Sequence, residues 1–304
     1  MRDFIMTSKL LSKIPAHRKG LVLISIAAFF WSTGGLFIKV LKTLDAFQIS
    51  FYRSLIAAIS IVIISAARKQ AVKYSFDLIS ILCFVTFAGI LILFVAATKL
   101  TTAANAIFLQ FGAPIYLVIS EPLIFKTKFD KRNIITVLVV IFGMALFFVG
   151  KIELGNIYGN LLAILSGMCF AAFTLFLKWK KQKHNSENTI SNVVMGNFLV
   201  AAICFPIIFP NFSLDFTQAI ILVFLGAVQI GISYMIFNEG IKYVSATESM
   251  IIGTLEAIFN PIWVFFGVGE KPSVFSIAGA AVILCAILWR NLISKPKDKV
   301  MPVD

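Results

Sequence analysis

The sequence predicts an all-α integral membrane protein: ten transmembrane helices forming two inverted five-helix repeats around a central cavity. Three observations predict it. The chain holds ten apolar runs, each near the roughly 20 residues that about 30 Å of hydrocarbon requires. Its Lys and Arg gather on alternate connections between those runs. A polar, proline-bearing run also occurs twice, once in each half. Composition agrees, since 60% of the 304 residues are hydrophobic, 13% are charged and the mean hydropathy is +0.96. A soluble domain carries about 25% charged residues, so this chain has too little polar surface to be one.

Residues 1–19 form a basic arm (Arg2, Lys9, Lys13, Arg18, Lys19) too long and polar for a signal-peptide leader. The expected spans are 20–40, 46–67, 78–98, 103–125, 133–150, 157–178, 190–209, 217–239, 246–268 and 273–292, followed by a basic tail, 293–304. With the N-terminus cytoplasmic, 21 of the 27 Lys and Arg lie inside. They are the arm, the tracts around Arg68, Lys126 and Lys178, then Lys242 and the residues from Arg290 onward. Lys39, Lys42, Lys99, Lys151 and Lys271 lie outside, and Arg53 lies within a span. This asymmetry predicts that both termini are cytoplasmic. The net charge of +13 is therefore a topological signal, and nucleic-acid binding is not expected.

The repeat has a period near 143 to 147 residues. Lys99 matches Lys242, Gln110 matches Glu256, Pro114 matches Pro261 and Tyr116 matches Trp263. Spans 1–5 (20–150) then recur as spans 6–10 (157–292). Five is odd, so the second copy enters the membrane from the opposite side, the arrangement from which alternating access is built.

The polar run is Ala246–Gly269, ATESMIIGTLEAIFNPIWVFFGVG. Steps of four place Glu248, Glu256 and Asn260 on one helical face. A carboxylate at mid-span costs about 3 kcal/mol or more unless water or a partner reaches it, so Glu256 and Asn260 are expected to bind substrate or a coupling proton. The competing reading has them hydrogen-bond a backbone broken at Pro261. Gln110, Pro114 and Glu121 share a face in span 4, and Gln110 is expected to reach the same cavity. Pro114 and Pro261 are the expected helix breaks.

Trp31 and Ser32, in WSTGG, either offer an aromatic wall and a donor or only let helices approach closely. Arg53 either holds a substrate carboxylate or pairs with an acidic side chain. Gln229 and Tyr234, in the unusually polar span 8, are expected to line the cavity. Lys39, Asn105, Glu121 and Glu248 lie nearer the span ends and are expected at gates.

The four cysteines are scattered singly and the two histidines sit in polar segments, so neither metal, cofactor, disulfide framework nor intramembrane His catalysis is expected. The chain has no GxxxxGK[ST], HExxH or GxSxG motif, which argues against direct ATP use and enzymatic chemistry.

Four segments resemble the EamA-type ten-helix transporters of the drug/metabolite transporter superfamily: FWSTGGLFIK, ISFYRSLIAA, TTAANAIFLQFGAPIY and YVSATESMIIGTLEAIFNPIWVFFGVGEKPS. The resemblance covers about residues 20–292. Glu270 matches the family's glutamate turn after its ninth helix, whereas Lys126-Thr127-Lys128 departs from it in the first repeat. The resemblance implies a basket-like bundle, its cavity lined by helices 1, 3, 4, 6, 8 and 9, and transport of small metabolites, often amino acids. The expectation is thus a secondary transporter of an amino acid or derivative in a bacterial inner membrane, acting as monomer or homodimer. Its partners are a small-molecule substrate and the lipid bilayer. The alternative is efflux of amphipathic cationic drugs.

Overall fold

The computed structural model describes residues 15–70, 72–101, 103–147, 149, 156–184, 189–268 and 273–293. The basic arm before residue 15, the tail beyond 293, and the turn holding Glu270 lie outside the described residues. Among those described there are helices and no strands. Hydrocarbon offers backbone groups no partner, and a helix satisfies them within itself.

The elements are α1 (Ala16–Trp31), α2 (Gly34–Val40), α3 (Ala46–Ala67), α4 (Leu78–Leu100), α5 (Ala103–Gln110), α6 (Ala113–Ile124) and α7 (Lys131–Phe147). The second half of the chain gives α8 (Ile157–His184), α9 (Ile190–Ile208), α10 (Phe216–Val223), the π-helical α11 (Phe224–Ile232), α12 (Ser233–Gly240), α13 (Ala246–Gly253), α14 (Leu255–Val268) and α15 (Val274–Ile293). Among the described residues, seven stretches are long and apolar enough to cross a membrane: Ala16–Val40, Ala46–Ala67, Leu78–Leu100, Asn105–Ile124, Ile157–Gln182, Ile190–Ile208 and Phe216–Gly240. The other three expected spans correspond to α7, which is shorter, to α13 with α14, which are interrupted at Thr254, and to α15, where the described apolar stretch is Ile277–Arg290. Large apolar side chains such as Leu138, Phe142 and Phe266 point outward, while Arg53, Gln110, Gln229 and Glu256 are buried. A soluble fold has the opposite pattern; this is a multi-pass membrane protein.

Short polar caps start several helices. Asp45 and Asp215 each form a reciprocal capping box, with Gln48 and Gln218, and Ser245 caps α13. Three helical paths are interrupted, each with a local cause. Between α1 and α2, the Ser32 and Thr33 hydroxyls bond the carbonyls of Phe29 and Phe30, in competition with the helix ladder. Between α5 and α6, Pro114 has no N–H to offer the Gln110 carbonyl four residues back. Between α13 and α14, Thr254 bonds the Ile251 carbonyl directly after Gly253. This last position differs from the expected one. The helix runs through Pro261, and the interruption falls at Thr254, because the freed carbonyl of a proline can be tolerated within a packed helix.

Polar contacts gather at two ends of the bundle. At one end, Lys19 reaches Tyr243, Lys178 and Lys181 reach carbonyls near the end of α12, and Arg290 reaches Asn133. We call this the basic end. At the other, Lys39 donates to the Thr101 carbonyl at 2.9 Å and Lys99 to that of Leu41.

Two glycines set how tightly the middle closes. A Cβ on Gly226 would stand 2.6 Å from Cβ of Ile56 and 2.7 Å from the Arg53 carbonyl oxygen. One on Gly167 would stand 2.6 Å from the Gln110 carbonyl oxygen, which Pro114 leaves without its usual donor. Both contacts are with backbone or branched carbon, which cannot swing aside. Gly226→Val is therefore expected to lower stability by about 1–3 kcal/mol, as overpacking does, measured by thermal unfolding of the purified protein in detergent. An unchanged midpoint would show that α11 and α3 can separate without loss.

Candidate binding cavity

The interrupted and π-wound segments meet in one place. Trp31 from the end of α1, Arg53 from α3, Gln110 from the end of α5, Gln229 from α11, Tyr234 from α12 and Glu256 from the start of α14 face a common cavity of about 20 Å³. That volume suits about one water molecule, so the described conformation is closed. None of these six side chains is more than 5% exposed.

Some polar atoms are held by the protein. Gln110 Nε2 donates to Ser166 Oγ at 2.8 Å, and that hydroxyl donates to the Ile90 carbonyl. Gln229 Nε2 donates to the Trp31 carbonyl at 3.2 Å, beside the α1–α2 break. The indole of Trp31 packs on Tyr234, Phe237 and Phe170, with ring centroids 4.8, 5.1 and 5.5 Å apart. Phe87 meets Tyr234 edge-on.

Other polar atoms have no protein partner. Arg53 Nε and Nη1, Trp31 Nε1 and Gln229 Oε1 are buried without a hydrogen bond. Arg53 and Glu256 face one cavity, yet no ion pair joins them. Burying a charge without a partner costs several kcal/mol. An arrangement that gathers a guanidinium with unbonded donors, a buried carboxylate, an indole N–H and an amide oxygen around one small space is suited to a ligand carrying both charges.

Of the expected cavity residues, Trp31, Arg53, Gln110, Gln229, Tyr234 and Glu256 come together. Ser32 does not: it is fully buried at the helix break, where its hydroxyl accepts from Trp263 Nε1 at 2.7 Å. The side chains of Asn260 and Pro261 lie outside those described. Pro114 stands at the second position of α6, as a break residue does. The four expected gate residues sit at the ends. Lys39 and Asn105 lie away from the basic end, while Glu121 caps α13 and Glu248 binds His17 and Arg290 at the basic end. Sequence reasoning missed Ser166 and Phe170. A shift of 139 residues would have found Phe170, since it carries FIKV at 37–40 onto FLKW at 176–179 and Trp31 onto Phe170.

The model of the EamA-like transporter family matches twice, over residues 18–149 and 157–292. A protein of Archaeoglobus fulgidus named an uncharacterized transporter is 23% identical over 282 residues, covering 88% of this chain and 95% of its own length. Another of the same name and organism is 25% identical over 201 residues, 65% of this chain and 71% of its own. A solved crystal structure superposes with a TM-score of 0.77 at 13% identity, over 92% of this chain and 99% of its own, a likeness of fold.

The unpaired Arg53 yields a test of its own. Arg53→Met keeps much of the side-chain length and removes the buried cation. It is expected to raise the thermal stability of the ligand-free protein by about 1–4 kcal/mol, the range seen when buried ionic groups become apolar. A loss of stability would mean that Arg53 is satisfied in the resting protein.

Proposed function

Given that the chain belongs to the EamA-like transporter family, we propose that it is a secondary active transporter moving an amino acid or a closely related zwitterion by alternating access. One observation carries this reading: the buried guanidinium of Arg53, whose Nε and Nη1 have no hydrogen-bond partner, and the buried carboxylate of Glu256 face the same closed cavity. An α-amino acid brings a carboxylate for Arg53, where a planar fork of donors suits two oxygens, and an ammonium for Glu256. Trp31, Tyr234 and Phe170 surround its apolar part, and Trp31 Nε1 and Gln229 Oε1 offer one further donor and acceptor.

A cavity of about 20 Å³ cannot hold an amino acid, so substrate enters only when the helices around it separate. Ten crossings in two inverted halves, 20–150 and 157–292, are the device for that separation. In support, the family matches begin 139 residues apart, at 18 and 157, and end 143 apart, at 149 and 292. The charge asymmetry supports cytoplasmic termini in a bacterial inner membrane. Glu256 is the group on which proton coupling would rest, because a carboxylate that is alternately substrate-paired and empty changes its affinity for a proton with each turn of the cycle. The protein works as monomer or homodimer.

The test is a thermal-shift screen of amino acids on the detergent-purified protein, with Arg53→Lys and Glu256→Gln alongside. Binding is expected to stabilise the wild type by about 2.7 kcal/mol at one hundred times the dissociation constant. Arg53→Lys, which loses the fork, and Glu256→Gln, which loses the charge, are expected to abolish the shift. Stabilisation by lipophilic cations and not by amino acids would replace this reading with drug efflux. In proteoliposomes, Glu256→Gln is expected to remove the pH dependence of uptake, and its persistence would end the coupling role.

A further inference from the structure

We propose that the turn closing α3 at the basic end is a binding site for one anionic phospholipid, with its phosphate at Lys69 and an acyl chain in the groove beside it. The inference does not depend on which substrate the protein moves.

A backbone observation singles out this turn. The Gln70 N–H donates to the Ser65 carbonyl and the Lys69 N–H to the Ala66 carbonyl, each at 2.9 Å, which closes the helix in a left-handed cap after Arg68. That cap requires a positive φ, and Lys69 supplies it at 54°. A Cβ makes the conformation unfavourable, so helices ordinarily place glycine there. A lysine in that place has to be accounted for by its side chain. Charge asymmetry across the membrane does not account for it, since Arg68 and Lys73 already make the same connection basic. Nor does the helix dipole, because a cation in place of Ala66 or Ala67 would sit in the last turn of α3 without strain. Among the described residues the other non-glycine with a positive φ is Lys126, at 50°. It closes α6 at the same end, where the Thr127 N–H donates to the Pro122 carbonyl at 3.0 Å. Lysine thus stands where glycine would be easier at two helix ends, both at the basic end.

Lys69 borders an open groove of about 430 Å³. Val62 and Ala66 of α3 line it, with Lys69 and Gln70 of the turn and Val72 and Tyr74 of the segment that follows. The volume is in the range of small-molecule sites. Ile59 and Ile63, three residues before Val62 and Ala66, are exposed, so the groove continues along an apolar helix face. Beyond it Tyr74, Phe76 and Leu78 are exposed as well. Large apolar side chains beside a basic turn are unfavourable in water and suited to the boundary between headgroups and chains. Asp77, the carboxylate of this connection, is held by Lys180 at 3.2 Å, which leaves the connection cationic.

Charge and shape together select the occupant. An ammonium at the rim of an apolar groove fits a ligand with an anionic head and a hydrocarbon tail, and the bilayer delivers that ligand to this depth. The lysine stem can lie along the apolar wall while its ammonium stays among the headgroups. Free phosphate would meet Lys69 and leave the groove empty. A zwitterionic phospholipid would fill the groove and gain little from the charge.

The experiment titrates short-chain phosphatidylglycerol into the full-length protein in a neutral detergent and reads the thermal midpoint, with phosphatidylcholine and inorganic phosphate in parallel. Phosphatidylglycerol is expected to raise the midpoint at lower concentration than phosphatidylcholine. Lys69→Gly is expected to raise the lipid-free midpoint, because glycine accepts the left-handed conformation. The same variant is expected to weaken the apparent affinity for phosphatidylglycerol about fivefold, the worth of one basic residue beside anionic headgroups. Ala66→Trp fills the groove without changing the charge and is expected to weaken both phospholipids. Lys42→Gln, at the other end of the bundle, is expected to alter neither. Equal affinity for the two phospholipids, or undiminished phosphatidylglycerol binding by Lys69→Gly, overturns the site. Binding that Ala66→Trp leaves unchanged is diffuse surface charge, which overturns the groove. Stabilisation by inorganic phosphate equal to that by phosphatidylglycerol makes the ligand a free anion, and overturns the lipid.

Discussion

Arg53 and Glu256 face one space too small for more than about one water, and Nε and Nη1 of the guanidinium have no hydrogen-bond partner there. Hydrocarbon cannot hydrate a charge, and the effective dielectric inside the bundle is low. Two opposite charges kept apart in that setting hold the fold in a poised condition. Each could be satisfied by the other or by a ligand, and α3 and α14 carry them to the cavity without an ion pair between them. The cavity, the aromatic wall behind it and the helix interruptions around it can all be read as consequences of maintaining that separation.

The interruptions do specific work. At the end of α1 the break presents the Trp31 carbonyl to Gln229 Nε2, which anchors α11 to the first helix. At the end of α5 the break leaves the Gln110 carbonyl beside Gly167, so α8 can approach without a Cβ between them. The π-helical winding of α11 widens that segment by one residue per turn, turning Gln229 toward the cavity while Gly226 packs on the carbonyl of Arg53. Helix ends and bulges are the places where a backbone in a membrane can change shape, because their carbonyls are already partly shared with side chains. Placing several of them at one depth puts the deformable backbone where the ligand would sit.

Much of this was legible from residue types. Arg53, Gln110, Gln229 and Glu256 stand out as polar groups inside apolar runs, and in a bilayer such groups turn inward. Ser32 has the same polar signature but lies outside the cavity lining, because its hydroxyl at the break is engaged by the Phe29 carbonyl and by the indole of Trp263 from the other half. Phe170 was invisible for the opposite reason. One phenylalanine in a chain with 31 carries no signal of its own; only its repeat match to Trp31, and in the structure its stacking on that indole, separate it from those that face lipid. Pro261 signalled a break that falls instead at Thr254, since a packed neighbourhood decides whether a proline interrupts a helix or is absorbed by it.

By itself the sequence determined that the chain is helical, that it crosses a membrane several times, and which polar residues lie within the crossings. Length, apolarity and the placement of Lys and Arg are local quantities, and the bilayer acts on each segment separately. The tertiary structure alone decided that six of those polar and aromatic residues share one cavity, that no ion pair joins Arg53 to Glu256 there, and that Glu121 reaches across 125 residues of chain to cap α13. Those facts depend on how helices pack, and packing is settled by the fit of side chains and small residues between distant segments, which no local property of the chain records.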